Sequence, residues 1–142
     1  MNMVKQLTVS MQNQPGKLAE VEGLLTDNGV SVLALSADTS DNKGTLRFVA
    51  NDPDKASNVL KSFGYDVAEQ AVIAAEVPSH PGGMLAILKP LHQAQINVGF
   101  IYNTMFIGDK VIVIVGIDKI EEGIDVLRKN WINLFDEKLY EM

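Results

Sequence analysis

The chain has 142 residues, 46% hydrophobic and 21% charged, with a formal net charge of −6 and no cysteine. That balance is globular rather than disordered, and the acidity with no basic block argues against a nucleic-acid partner. Without cysteine there are no disulfides, thiolate metal sites or cysteine nucleophiles, which fits a reducing cytoplasm. The first residues lack the long apolar run and small-residue site of a signal peptide. Val111-Ile112-Val113-Ile114-Val115 is too short to cross a bilayer. The expectation is a soluble cytoplasmic protein with no membrane partner.

Along the chain, residues 5–11 alternate, with Leu7, Val9 and Met11 on one face of a half-buried strand. Asn13-Gln14-Pro15-Gly16 is a turn that opens a helix, proline suiting its first turn. Leu18, Val21 and Leu25 have helical spacing, and Asn28-Gly29 supplies the stop. A second strand over 30–35 precedes the hairpin turn Asp41-Asn42-Lys43-Gly44, where Asn and Gly tolerate positive φ, and a third strand covers 46–49. Asp52-Pro53 starts a helix with core stripe Ala56, Val59, Leu60 and Phe63, ended by Gly64, and a fourth strand fits 65–70.

The second half follows the same order. A strand over 74–77 leads to the Pro81-Gly82-Gly83 turn and a helix through Gln93, which Pro90 should kink or break because it removes a backbone hydrogen bond. Strands over 98–106 and 110–116 form a hairpin around Gly108-Asp109. A helix with Ile120, Ile124, Leu127 and Trp131 on one side follows, and residues 138–141 close the unit.

The halves repeat. Laying Pro81-Gly82 on Pro15-Gly16 puts Met84 on Leu18, Ile87 on Val21, Leu91 on Leu25, Ile96 on Val30 and Val98 on Val32. The same offset puts Ile112 on Leu46, Ile114 on Phe48 and Asp118 on Asp52, after which one inserted residue brings Val126-Leu127 onto Val59-Leu60. The order βαββαβ occurs twice, so the fold class is α+β: two ferredoxin-like units with antiparallel sheets and helices on one face. The boundary falls between residues 1–70 and 71–142, with too little chain between Gln70 and Ala74 for a flexible linker, so the units should pack together. Residues 30–35 and 111–115 are apolar on both strand faces, which either packing between the units or a homodimer explains.

Catalysis has little to stand on. His80 and His92 are the only histidines, too few for most metal sites, and no phosphate-binding or dinucleotide glycine loop is present. Ser79 beside His80 implies no base–orienter arrangement. The acidic pairs Asp52/Asp54 and Glu121/Glu122 suit helix starts. No catalytic residue, metal ligand or cofactor is assigned. The recurrent feature is the turn before the first helix: Asn13-Gln14-Pro15-Gly16-Lys17-Leu18 in one unit and Ser79-His80-Pro81-Gly82-Gly83-Met84 in the other. Such a helix start offers backbone N–H groups and a positive dipole end to a carboxylate, or it simply begins a helix.

With Asn28-Gly29-Val30-Ser31-Val32 and Gln95-Ile96-Asn97-Val98, these turns resemble the ACT domain over the whole chain, twice. The resemblance implies a stand-alone amino-acid-binding regulatory protein that changes conformation or association on binding and modulates a partner enzyme. The alternative is a ligand-independent interaction module or regulatory subunit. It implies ligand contacts at Asn13, Gln14, Gly16, Leu18 and Ser31 in the first unit. In the second it implicates Ser79, His80, Gly82, Gly83, Met84 and Asn97, with Tyr102 adding a polar group. The second unit is the favoured one, since Gly82-Gly83 leaves more room. A homodimer is expected.

Overall fold

The computed structural model describes residues 3–105 and 110–141. The chain divides into two compact units, one of Lys5–Gln70 and one of Ala71–Met142 together with Met1–Val4. The first contains β1 (Val4–Gln12), α1 (Lys17–Asp27), β2 (Val32–Ser40), β3 (Lys43–Ala50), α2 (Pro53–Ser62) and the start of β4 (Asp66–Glu76), with strand order β2-β3-β1-β4. The second contains the rest of β4, α3 (Leu85–Gln93), β5 (Val98–Asn103), β6 (Ile112–Ile117), α4 (Ile120–Lys129), β7 (Leu134–Phe135) and a 3-10 helix, Glu137–Glu141. Here β5, β6 and β4 lie in that order and β7 flanks β4. Both units are therefore βαββαβ with the same strand order. The fourth strand of the second is the two-residue β7, and residues 138–141, expected to be that strand, are 3-10 helix.

Period-2 alternation in β1 sends Leu7 and Val9 inward, opposite Phe48 and Leu46 of β3. Val21 and Leu25 of α1 and Ala56 and Leu60 of α2 close over them as one core. Helix ends follow local chemistry. The Asp52 carboxylate accepts the Lys55 N–H at 3.1 Å and caps α2. The N–H groups of Gly29 and Val30 donate to the Thr26 and Leu25 carbonyls and stop α1. The β2–β3 turn is the pair Asp41-Asn42, with positive φ on Asp41, while Gly44 lies buried inside β3.

The second core repeats the first one strand at a time, and it corrects the sequence alignment. Ile73 faces Val115 and Ala75 faces Val113, as Leu7 faces Phe48 and Val9 faces Leu46. Phe48 thus corresponds to Val115, not Ile114, and Leu46 to Val113, not Ile112. The bulges at Val32/Ala34 and Val98/Phe100 still agree at the original offset. The extra residue therefore enters between β5 and β6, ahead of the place inferred from Val59-Leu60. In an alternating apolar run such as 111–115 a one-residue slip exchanges the two faces yet leaves the hydrophobic pattern unchanged. The expected hairpin tip at Gly108-Asp109 lies outside the described residues.

Four further expectations are corrected. The strands foreseen over 65–70 and 74–77 are one, because Ala71-Val72-Ile73 contains no breaker. The helix containing Pro90 is not broken there: α3 is continuous, and the Ala94 N–H still reaches the Pro90 carbonyl. Trp131 is not on the core stripe of α4, which ends at Lys129, but is 94% exposed. Phe63 likewise follows α2 and is 62% exposed. As for the two-faced strands, Ala34, Val49, Ala74, Ile112 and Ile114 are already buried in the single chain, so their apolar character does not require a second copy. Among the described residues no helix is long and apolar enough to cross a membrane.

Candidate functional site

In the first unit β1 runs out at Gln12 and the chain folds back at once. The Gln14 N–H donates to the Gln12 carbonyl, and the Asn13 N–H donates to the Asn42 carbonyl, tying this turn to the β2–β3 hairpin. Gly16, at φ 87°, is the residue before α1, and no side chain caps the helix. Pro15 therefore stands outside the helix rather than in its first turn. Only glycine takes that φ without strain. The Lys17 N–H is taken by the Gln14 carbonyl and the Glu20 N–H by the Gly16 carbonyl, leaving those of Leu18 and Ala19 without a backbone acceptor among the described bonds.

This helix start opens into a cleft of about 250 Å³. One wall is the turn and α1, with Asn13, Gln14, Lys17 and Leu18, and the other is the end of β2 with Asp38 and Thr39, over Thr45 and Leu46 of β3. A second cleft of about 470 Å³ lies further along α1, bordered by Gly16, Leu18, Glu22, Val32, Leu35 and Phe48. Both belong to the first unit.

Two ion pairs lie near the polar cleft, the second on the sheet face turned away from α1. Lys17 Nζ is 3.6 Å from Glu20 Oε2, and Arg47 Nη1 is 3.7 Å from Asp38 Oδ2. Glu20 is also claimed by the Tyr65 hydroxyl at 2.7 Å, a bond that holds its carboxyl below the usual range, helped by Lys17. Partial burial, then that same bond, pushes the Tyr65 hydroxyl up to about 12.

The corresponding turn of the second unit is built differently. The Gly83 N–H donates to the His80 carbonyl, Leu85 to Gly82, Ala86 to Gly83, and both Ile87 and Leu88 to Met84. The chain winds into α3 through i→i+3 bonds, in which Leu85 uses the N–H that its counterpart Ala19 leaves open, while Met84, like Leu18, has no backbone acceptor among the described bonds. Gly83 does not leave room for a ligand: a Cβ there would lie 2.0 Å from the Pro78 carbonyl oxygen, so the turn's own backbone fills the space. His80 turns its Nδ1 to the Pro81 carbonyl at 2.9 Å, where it must be the donor. Tyr102 lies opposite Ile114 and stacks on Phe100, with centroids 6.2 Å apart. Its neighbour Ile101 packs in the core beneath the helices, so alternation puts Tyr102 on the other face of the sheet, away from the Pro81-Gly82 turn.

Of the residues singled out in the first unit, Asn13, Gln14, Gly16 and Leu18 border the two clefts. Ser31 does not. Its N–H donates to Asn51 Oδ1 at 2.9 Å and its carbonyl accepts the Asn51 N–H, which anchors the entry to β2. Asn97 is tied in the same way to Asp118. Ser79, Gly82 and Met84 stay at their turn, with Gly82 at φ 83° and Met84 half-buried. Sequence reasoning missed Lys17, which lies inside the turn motif itself. It also missed Asp38 and Thr39, because it stopped the second strand at Leu35 whereas β2 continues to Ser40. Among the described residues no group of three or more His, Asp or Glu is placed to hold a metal ion.

A duplicated ferredoxin-like unit, with a Pro-Gly turn opening the first helix of each copy, defines a regulatory-domain architecture. The chain belongs to the ACT family, matching its ACT domain pair model over residues 2–142. Protein BT0572 of Bacteroides thetaiotaomicron is similar in structure over 100% of both chains, with TM-score 0.90 and 27% identity. The ligand-free regulatory subunit of aspartate kinase from Thermus thermophilus shares the fold at TM-score 0.64 and 18% identity, over 89% of each chain. That of Thermus flavus does so at 0.59 and 19%, again over 89% of each. No curated protein matches in sequence.

Proposed function

We propose that this protein is an amino-acid sensor that regulates a partner and catalyses nothing itself. The observation that carries the reading is the first-unit cleft, where Lys17 and a helix start whose Leu18 and Ala19 N–H groups have no backbone acceptor among the described bonds meet a small space lined by Asn13, Gln14 and Thr39. The carboxylate of a free α-amino acid suits Lys17 and the open N–H groups of Leu18 and Ala19, and its ammonium suits the side-chain oxygens of Asn13, Gln14 and Thr39. Membership of the ACT family and likeness in fold to aspartate kinase regulatory subunits support a regulatory role, and a cytoplasmic partner enzyme fits both. The first unit is the better site, because in the second Leu85 bonds back to Gly82 and the Pro78 carbonyl fills the space beside Gly83.

A homodimer belongs to this reading. β2 is an edge strand of nine residues beside the cleft, and pairing with a second copy along it would close the site over its ligand.

A thermal-shift screen of the purified protein against the common amino acids tests the proposal. A ligand at about a hundred times its dissociation constant adds about 2.7 kcal/mol of stability. Lys17→Gln should abolish the shift, whereas His80→Ala should leave it unchanged. A protein unmoved by every amino acid would instead be a ligand-independent regulatory subunit.

A further inference from the structure

We infer that the amino acid recognised by the first unit carries an apolar side chain, which lies along the groove between α1 and β2. This rests on the amino-acid reading above and specifies its ligand. The polar and apolar clefts share Leu18 and Leu46, so they are two lengths of one groove. Strand register explains the division. Leu35 pairs with Phe48, Ala37 with Leu46 and Thr39 with Gly44, so alternate residues of β2 face the helix side and pass from aliphatic to polar along the strand. A ligand with its carboxylate near Lys17 and the Leu18 and Ala19 N–H groups has the larger apolar cleft as the continuation of its site.

The walls of that continuation are Leu18, Val32, Leu35 and Phe48. Leu18 is 44% exposed and Leu35 39%, so two large aliphatic side chains border the same groove in contact with water. An apolar ligand group would dry both, and each buried methylene is worth about a fourfold gain in affinity. A polar or charged side chain would lose its hydration here and find one carboxylate, Glu22, on an exposed stretch of α1. That carboxylate repels acidic side chains. Being bathed in water, it adds little attraction for basic ones.

Isothermal titration with alanine, valine, leucine, methionine, phenylalanine, lysine and aspartate reads this directly. Leucine, methionine or phenylalanine should bind at least about tenfold tighter than alanine, with lysine and aspartate weaker than either group. Leu35→Ser should lower the affinity for the best apolar ligand about tenfold and leave that for alanine unchanged, with an unaltered far-ultraviolet spectrum showing that the variant is folded. Equal affinity for alanine and leucine, or tightest binding of lysine or aspartate, overturns the inference while leaving amino-acid sensing intact. Failure of every amino acid to bind overturns both. If Leu35→Ser changes the oligomeric mass without changing leucine affinity, the groove is an interface between copies and the inference also falls.

Discussion

The Tyr65 hydroxyl donates to the Glu20 carboxylate at 2.7 Å, joining α1 to the chain just ahead of β4 across 45 positions of sequence. Glu20 also faces Lys17, so this bond reaches the wall of the polar cleft. The proton on Tyr65 is held more tightly in the folded protein, at about 12 against an ordinary value of 10.0. Its contribution to stability is therefore complete below pH 10 and disappears as the pH rises from 10 to about 12. Glu20 works in the other direction. Its carboxyl is held below the ordinary 4.5, so its contribution is present above that pH and is lost as the pH falls below it. Tyr65→Phe should remove the tyrosinate absorbance that rises near pH 12 and return the Glu20 carboxyl towards its ordinary range, read by NMR. A wild-type-minus-variant difference that titrates at pH 10 would contradict the bond.

Trp131 occupies the position after α4 that Gly64 occupies after α2, and both have positive φ, 63° and 87°. In the first unit glycine takes this conformation freely, whereas tryptophan pays backbone strain of about 1 kcal/mol. At 94% exposure its ring recovers almost nothing by packing. Trp131→Gly is therefore expected to stabilise the protein by about 1 kcal/mol in urea denaturation followed by circular dichroism, offset in part by the freer unfolded chain. Since Trp131 is the only tryptophan, its wild-type fluorescence should also match that of indole in water. A blue-shifted emission would show the ring buried.

Pattern carried the sequence reading far where one face is wet and the other dry. Leu7 and Val9 alternate cleanly and Val21 and Leu25 keep helical spacing, so βαββαβ is legible twice. Register was legible only where the pattern changes with position. In Val111-Ile112-Val113-Ile114-Val115 every residue is apolar and β-branched, so nothing local distinguishes core-facing Val113 and Val115 from Ile112 and Ile114. Trp131 and Phe63 misled for a related reason. Their spacing continues a helical stripe, but α2 ends at Ser62 and α4 at Lys129, with positive φ at Gly64 and Trp131 closing the two ends. The cleft was half legible. The turn motif gave Asn13, Gln14, Gly16 and Leu18, while Asp38 and Thr39 depend on how far β2 extends, which polar residues near its end disguise.

The corrected register makes Asn51 and Asp118 equivalent. Each side chain accepts the N–H of the residue that leads into the second strand of its unit, at 2.9 Å from Ser31 and 3.1 Å from Asn97. Asn51→Ala and Asp118→Ala should each cost about 1 kcal/mol, measured by urea denaturation. Asp52, which the uncorrected alignment places on Asp118, instead caps α2, and Asp52→Ala should lower stability without altering amide exchange at Ser31. Slowed exchange of Ser31 persisting in Asn51→Ala would refute the anchor.

Gly82 and Gly83 are adjacent but are glycine for different reasons. Gly82 has φ 83° with nothing within 4 Å of a Cβ, so alanine there meets only backbone strain, about 1 kcal/mol. Gly83 has an ordinary φ, but its Cβ would lie 2.0 Å from the Pro78 carbonyl oxygen and 3.1 Å from that of His80, and backbone cannot swing aside as a side chain does. Gly83→Ala must spread the turn, lengthening the bond from the Gly83 N–H to the His80 carbonyl and displacing the first turn of α3, whose Ile87 is buried in the core. The expected loss is about 2–4 kcal/mol, the range of a disrupted core contact, against about 1 for Gly82→Ala, both read by thermal denaturation. Because the first unit holds the proposed ligand site, neither change should weaken amino-acid binding by the folded protein. Equal losses for the two variants would mean that the second unit's turn is not held by its own carbonyls, and that its helix start is as open as the first.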